Sequence, residues 1–499
     1  MQTPDQQYPE LFRLVQMSGV FADSKTFVDL EPLATPDVIN RIFREKREES
    51  HFDLRQFLDT YFVKESIADV SSSVQQDICK HIKHLWPILT RQPNIPSEFS
   101  SRLALNYPYV VPGGRFNEIY YWDSYFTQLG LALQGEIELF RNMVANFADL
   151  IDRFGFIPNG NRTYFCTRSQ PPFFALMVEL LSQHEAKSYR GHYFDQLEAE
   201  YRFWMNIPAA DDELHIPTRC VQTPDGLLNR YWDAVGTPRQ ESYVEDLELA
   251  QHATRDSSEL YRDLRAGAES GWDFSSRWCN NESLNSIRTT EILPIDLNSL
   301  MYLLEKTLLA ASEEKGDQEK IIFYRGALNR RASLLQAHFF NEKLGYFVDL
   351  NLSDLSHRPQ LTLATLFPLF ANIATQDQAA KVALVIEKEL LAEGGWLTTT
   401  QHSGEQWDAP NGWAPLQWIC FVGLRNYGFD QLAEQGARRW LGANELIFKQ
   451  QGKLIEKYNV VKIDQLSGGG EYAVQDGFGW SNGVYIALRD ALGLDVSRF

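Results

Sequence analysis

Asp273 lies in GWDFSSRW, residues 271–278, where two tryptophans flank a lone carboxylate and an arginine follows four residues on. Trp272 and Trp278 would desolvate that carboxyl, raise its pKa and favour a proton-donating form near neutrality, as a general acid in glycoside hydrolysis requires. The same Asp could instead cap a helix beginning at FSSRW. Glu471 follows three glycines in GGGEY, which permit a tight loop and close backbone approach. A glutamate held there can stay ionised and accessible, as a base that activates water must; a solvated surface glutamate has the same local sequence. Asp123, in YYWDSYF, and Asp408, in QWDAP, could equally be acid or base, and Asp123 could also be a helix cap.

These carboxylates sit in stretches of one style. VPGGRFNEIYYWDSYF (111–126), GFIPNGNRTYFCTRSQPP (155–172), the 271–278 segment, EGGWLTTTQHSGEQWDAPNGWAPLQW (393–418) and LSGGGEYAVQDGFGWSNG (466–483) mix aromatics with Asp, Glu, Asn, Gln and Arg, and use Gly and Pro to fix the loop. Aromatic faces can cover the apolar face of a sugar ring while the polar groups exchange hydrogen bonds with its hydroxyls. Arg115, Arg168 and Arg239 lie in Gly- or Pro-bearing loops. A guanidinium there can bind vicinal hydroxyls in a fork or keep a catalytic carboxylate charged. The implied ligand is neutral and rich in hydroxyls.

The elements that must position these loops are helical. From about residue 121, segments such as WDSYFTQLGLALQG, EIELFRNMVANFADLIDRFG, ESYVEDLELAQHA, IDLNSLMYLLEKTLLAASEE and WSNGVYIALRDALG carry apolar residues three and four apart, the helical period. About a dozen such segments occur, LTLATLFPLFANIA among them, and strand-like alternation is rare. Helices in pairs, each pair burying a face, can close into a ring whose loops form a deep cup at one end. No motif repeats at a fixed period, which disfavours a regular solenoid. The expected organisation is a helical lead-in over 1–100, packed on a catalytic body over 101–499. In the lead-in, SSVQQDICKHIKHLWPIL reads as a helix stopped or kinked near Pro87.

Composition excludes several classes of function. A formal net charge of −19 repels a phosphate backbone and an anionic membrane alike, so neither nucleic acid nor a membrane is an expected partner. LTLATLFPLFANIA, the longest nearly apolar stretch, is too short to span a bilayer. The histidines form no ligand pair that a third ligand completes, and no phosphate-binding or dinucleotide fingerprint occurs, so no metal or cofactor is expected. Five cysteines, Cys79, Cys166, Cys220, Cys279 and Cys420, lie far apart without a metal or redox spacing. With no basic and apolar leader at the start, a cytoplasmic, monomeric protein is the expectation.

PGGRFNEIYYWDSYF (112–126) and QWDAPNGWAPLQW (406–418) closely resemble the two signature stretches of the trehalases of glycoside hydrolase family 37. ESGWDFSSRW (269–278) and GGGEYAVQDGFGWSNGV (468–484) resemble that family's catalytic segments, and the likeness runs from about residue 105 to 490. The resemblance implies an all-α fold, the (α/α)6 toroid barrel, and hydrolysis of α,α-trehalose to two glucose molecules with inversion and no cofactor. It implies Asp273 as general acid and Glu471 as general base, with a disaccharide and water as the only partners. An inverting pair leaves room for water between carboxyl groups about 6.5–9.5 Å apart. Residues that resemble the family's sugar-binding or carboxylate-supporting positions are Arg115, Phe116, Tyr120, Trp122, Asp123 and Asn159, and further along the chain Arg168, Gln170, Arg239, Glu241, Gly271 and Trp413. The family divides into periplasmic or secreted forms and cytoplasmic forms, and the missing leader favours the cytoplasmic type. No calcium-binding loop pattern precedes residue 100. The alternatives are another (α/α)-barrel enzyme acting on a different α-glucoside, or a phosphorylase, which a carboxylate at Glu471 would disfavour by repelling phosphate. A non-catalytic sugar-binding protein would be expected to lack one of the two carboxylates.

Overall fold

The computed structural model describes residues 1–64, 77–93, 98–206, 218–281 and 283–496. Among the described residues, twelve helices alternate in chain order between an outer and an inner ring, with other short helices in the connections. The outer ring is α1 (Ile78–Leu89), α3 (Ile137–Phe154), α5 (Phe194–Trp204), α7 (Gln318–His338), α9 (Gln376–Glu389) and α11 (Asp430–Gln451). The inner ring is α2 (Tyr121–Leu133), α4 (Phe174–His184), α6 (Ile295–Lys315), α8 (Phe367–Phe370), α10 (Ala414–Asn426) and α12 (Gly479–Ala491). Each inner helix touches the next, and α12 closes on α2. This is the all-α toroid that the family resemblance implies and that the count of helical segments allows.

Burial separates the two rings. α2 is buried without interruption from Tyr121 to Leu131 and α12 from Gly479 to Leu488, whereas outer helices such as α3 bury one face only, the amphipathic pattern of a helix at a surface. The α2–α12 contact that closes the ring depends on glycine. A Cβ on Gly130 would lie 2.7 Å from Gly483 Cα, and one on Gly483 would collide with the Phe126 carbonyl oxygen. Several outer helices begin on side-chain caps: Asp77 accepts from Cys79 N at 2.9 Å, Asp317 from Lys320 N at 3.1 Å, and Thr375 forms a capping box with Gln378.

The membership of the ring differs from a simple count of helical segments. ESYVEDLELAQHA forms a helix, Tyr243–Gln251, outside the ring, and α1 takes the remaining outer place. The first residues of the α1 reading, 72–76, lie outside the described residues; Pro87 sits within the last turn, and the helix continues to Leu89. Strands are two to four residues long in the described residues and pair antiparallel in loops without closing a sheet. Most apolar side chains join one continuous core that includes α1. A second cluster, including Leu11, Phe12, Phe27, Phe43 and Phe57, lies in residues 8–62 and extends onto Tyr120, Tyr164 and Phe165 of the body. Among the described residues no helix is long and apolar enough to cross a membrane.

Candidate active site

Because inner helices follow outer ones throughout, the segments entering the inner helices emerge at one end of the barrel. They line a shared cavity at that end. The loop into α2 brings Arg115, Phe116 and Tyr120, and the first turn of α2 brings Trp122 and Asp123; the loop into α4 brings Asn159, Arg168 and Gln170; the long connection into α6 brings Arg239, Glu241, Gly271 and Asp273. Trp413 precedes α10, and Glu471 lies in the loop before α12. Every site residue that the family resemblance singled out thus lines this cavity. Asp408 does not: it is fully buried, accepts from Ser275 Oγ at 2.9 Å, Ser276 N at 2.8 Å and Thr399 Oγ1 at 2.8 Å, and ties the segment after Asp273 to the 399–408 loop.

The two candidate catalytic carboxyls occupy opposite environments. Asp273 is partly accessible, and its carboxyl has no hydrogen-bonding side-chain partner among the described residues; only its backbone carbonyl is held, by Gln406 Nε2. Burial raises its pKa to about 7, the charge of Glu471 adds to the rise, and Arg239 and Arg168 restrain it. Glu471 is gripped from two sides. Arg239 Nη2 donates to Oε1 at 2.8 Å and Ser242 Oγ donates to Oε2 at 3.0 Å. Arg239 is itself fixed by Asp246, with Nη2 to Oδ1 at 2.6 Å and Nε to Oδ1 at 3.1 Å, and its guanidinium lies 4.8 Å from the Phe274 ring. The Arg239 guanidinium thus forks onto Asp246 and reaches Glu471 with one further charge-assisted hydrogen bond.

Other polar groups converge on the same space. Arg168 Nε donates to Asn159 Oδ1 at 2.9 Å and Nη2 to Glu241 Oε1 at 2.6 Å. Among the described residues, Arg168 Nη1, Glu241 Oε2 and Arg115 Nε are buried without a hydrogen-bond partner, which suits them to ligand hydroxyls. Burial raises Glu241, but Arg168, Arg239 and Arg265 outweigh it and hold the carboxyl low. Burial drives Asp123 well above the usual carboxyl range, and the charges of Asp273 and Glu456 add to it. Gln170 Oε1 accepts from Trp122 N at 3.1 Å. Phe116 and Tyr120 meet edge to face at 5.4 Å. Gly271 has a left-handed φ of +71°, and a Cβ there would meet Trp122 ring atoms at 2.7 Å, so only glycine fits both the turn and the approach.

The aromatic setting of Asp273 differs from the reading of its octapeptide. Trp272 and Trp278 are fully buried and do not line the cavity. They sandwich Arg277, whose guanidinium lies 4.6 and 4.3 Å from their rings and forks to Asp296 and Asp349. That arginine is a core anchor for α6, not a partner of Asp273. Trp122, Trp407, Trp413 and Trp480 supply the cavity wall instead; Trp407 and Trp413 stack at 3.9 Å and 2°, and Trp272 packs behind Trp407 at 5.5 Å.

Sequence reasoning passed over several lining residues: Lys25, Phe165, Ser242, Glu456, Tyr472 and Phe478, besides Trp407 and Trp480. Trp407 and Trp480 lay within quoted stretches, and adjacency to QWDAP and GFGW was a usable signal. Lys25 had none: it is buried, and its ammonium donates to Glu118 Oε1 at 3.0 Å, 93 residues away.

The sequence profile of the trehalase family matches residues 19–493. The chain belongs to the trehalase family. It is therefore a glycosidase. The putative periplasmic trehalase of Salmonella typhi is 48% identical over 495 residues, covering 98% of this chain and 87% of that one; the periplasmic trehalase of Salmonella paratyphi B gives the same values. Among solved structures, the neutral trehalase of Saccharomyces cerevisiae superposes with a TM-score of 0.65 at 23% identity, over 97% of this chain and 94% of that one. A GH63 mannosylglycerate hydrolase of Thermus thermophilus gives 0.52 at 17% identity, over 83% and 100%. At these identities the two structures share the fold.

The names of the relatives overturn the cytoplasmic expectation and, with it, the cytoplasmic-type branch of the family resemblance. Part of that expectation rested on unpaired cysteines. All five are free, and Cys79, Cys220, Cys279 and Cys420 are buried at separate points. Thiols packed in a core are shielded from oxidant and from one another, so their number carries no information on compartment.

Proposed function

We propose that this glycosidase hydrolyses α,α-trehalose to two glucose molecules with inversion, Asp273 serving as general acid and Glu471 as general base. The observation that carries the reading is the contrast within one cavity: a desolvated carboxyl raised to about 7 without a side-chain partner, against a carboxylate held by Arg239 and Ser242. Protonated Asp273 donates to the glycosidic oxygen as the C–O bond breaks, and the leaving glucose departs as a neutral alcohol. Glu471 takes a proton from the water that attacks the anomeric carbon from the opposite face. Arg168, Glu241 and Asn159 bind hydroxyls, and neutral Asp123 donates a further hydrogen bond. Trp122, Trp407, Trp413 and Trp480 exclude water and present ring faces to the sugars.

We place the lead-in over residues 1–100 against the body, supported by its separate apolar cluster, and extend the functional unit into it, because α1 completes the outer ring and Lys25 lines the cavity. The compartment proposed is the periplasm, from the 48% identical relatives named for it. The test is glucose release from α,α-trehalose by the full chain, compared with maltose and with reactions containing phosphate, and with Asp273→Asn and Glu471→Gln in parallel. Release from trehalose without phosphate, reduced by about 10³-fold or more in both variants, is the expected result. Full activity in either variant contradicts its assigned role.

A further inference from the structure

The loop Arg239–Ser242 supplies both groups that hold Glu471, and its rear is gripped by residues far away in the sequence. Gln240 is buried and, unlike Arg239, Glu241 and Ser242, does not line the cavity. Its carbonyl oxygen accepts from Gln16 Nε2 at 3.3 Å, and the same Nε2 donates to the Ser24 carbonyl at 2.9 Å. The Gln240 side chain donates to Asp5 Oδ1 at 3.0 Å and accepts from Arg265 Nη2 at 3.0 Å. Beyond the loop, Ser24 Oγ donates to Glu245 Oε2 at 2.9 Å and accepts from Val244 N at 3.3 Å. Phe12 meets Tyr243 edge to face at 5.0 Å.

We propose that Gln16 and Ser24 are positioning residues: Gln16 holds the Arg239–Ser242 loop at the Gln240 carbonyl and Ser24 holds the helix turn that follows it at Val244 and Glu245, so that Arg239 and Ser242 keep Glu471 aligned for attack by water. The inference rests on the reading of Glu471 as the base and extends it to residues of the lead-in. Gln16 and Ser24 are both buried, so removing either polar side chain takes this partner from the Gln240 carbonyl or the Val244 N–H at a place shielded from water. Because Arg239 and Ser242 each make a single hydrogen bond to Glu471, a small rotation of the loop moves both donors together. Displacements of about 1 Å at such a distance from the chemistry lower turnover by as much as about 10²-fold. Since the brace aligns the base, its loss should appear in kcat and leave KM comparatively unchanged.

The experiment measures steady-state trehalose hydrolysis by the full chain carrying Gln16→Leu, Ser24→Ala or Ser24→Thr, well below each variant's Tm. Phe43→Leu serves as a control: it thins the apolar core of the lead-in, where Phe43 packs against Phe52 and Phe57, without touching the loop. Gln16→Leu and Ser24→Ala should lose about tenfold in kcat with KM within about threefold of the parent. Ser24→Thr, which keeps the hydroxyl, should retain kcat within about twofold, and Phe43→Leu should lower Tm at unchanged kcat. Should Gln16→Leu fail to fold, Ser24→Ala against Ser24→Thr carries the test. The proposal is overturned if Ser24→Ala keeps the parent kcat, or if Phe43→Leu loses as much kcat as the brace variants. A Glu471→Gln enzyme with full turnover would instead remove the base assignment, whatever the brace variants do.

Discussion

Replacing Asp273 with Asn should make the protein more stable at alkaline pH while abolishing turnover. The pKa of Asp273 rises from an ordinary 3.8 to about 7 in the folded chain. Its folded pKa is therefore above its unfolded one, so the folded state holds a proton that the unfolded chain has released across that window. The associated stability is fully present below the unfolded pKa and is lost as pH rises through about 7. Going from about pH 5 to about pH 8 crosses about two of those pH units, at about 1.4 kcal/mol each, or about 3 kcal/mol. The carboxyl is partly accessible, and screening by solvent in the cavity reduces this to about 1.5 kcal/mol. Asn has nearly the same shape and no charge, so the variant lacks this dependence; buried acids remote from Asp273 cancel in the difference, and Asp123, relieved of the Asp273 charge, changes in the same direction. In paired urea titrations at the two pH values, the variant should gain about 1.5 kcal/mol over the parent on going to the higher pH, or about 1–2 °C in Tm for a chain of this length. A stability difference that is the same at both pH values would refute the claim that folding holds a desolvated acid at this position.

If Asp273 must donate a proton, kcat/KM for trehalose should fall about tenfold per pH unit above about pH 7, and a pH–rate profile flat to about pH 9 would contradict this. Arg239→Lys removes the fork to Asp246 and Glu471, and steady-state kinetics should register a kcat loss of about 10²-fold. Gly271→Ala places a methyl group against Trp122 in a left-handed backbone position; thermal denaturation should record a loss of about 1–3 kcal/mol, accompanied by a raised KM.

The rings were legible because helical spacing survives wherever a helix keeps one apolar face, as along Ile137–Phe154. It failed for the helix Ser257–Glu269, which leads directly to Gly271 and Asp273. Between its apolar residues Leu260 and Leu264 it buries Asp263, followed by Arg265 and Glu269, and these charges blur the stripe. They are buried because they find partners outside the helix: Arg219 Nη2 donates to Glu269 Oε1 at 2.9 Å and Arg255 Nη1 to Asp263 Oδ2 at 2.6 Å. The cavity's loops were readable from their shared composition, since each combines ring faces with hydrogen-bonding groups. Which tryptophan faces the cavity was not, because Trp272 adjoins Asp273 in sequence yet points into the core beside Arg277. Lys25 and Gln16 stayed hidden for the same reason, as their roles depend on Glu118 and Gln240, which only the folded chain brings near.

The most direct test of the account is anomer-resolved proton NMR of a fresh reaction with α,α-trehalose, followed faster than glucose mutarotates, with Asp273→Asn alongside. Inversion at one anomeric carbon predicts equal initial amounts of α- and β-glucose, the β anomer from the attacked ring and the α anomer from the leaving one, and no product from the variant. Initial α-glucose alone would mean a retaining mechanism, and β-glucose formed by Asp273→Asn at the parent's rate would remove the assignment of the acid.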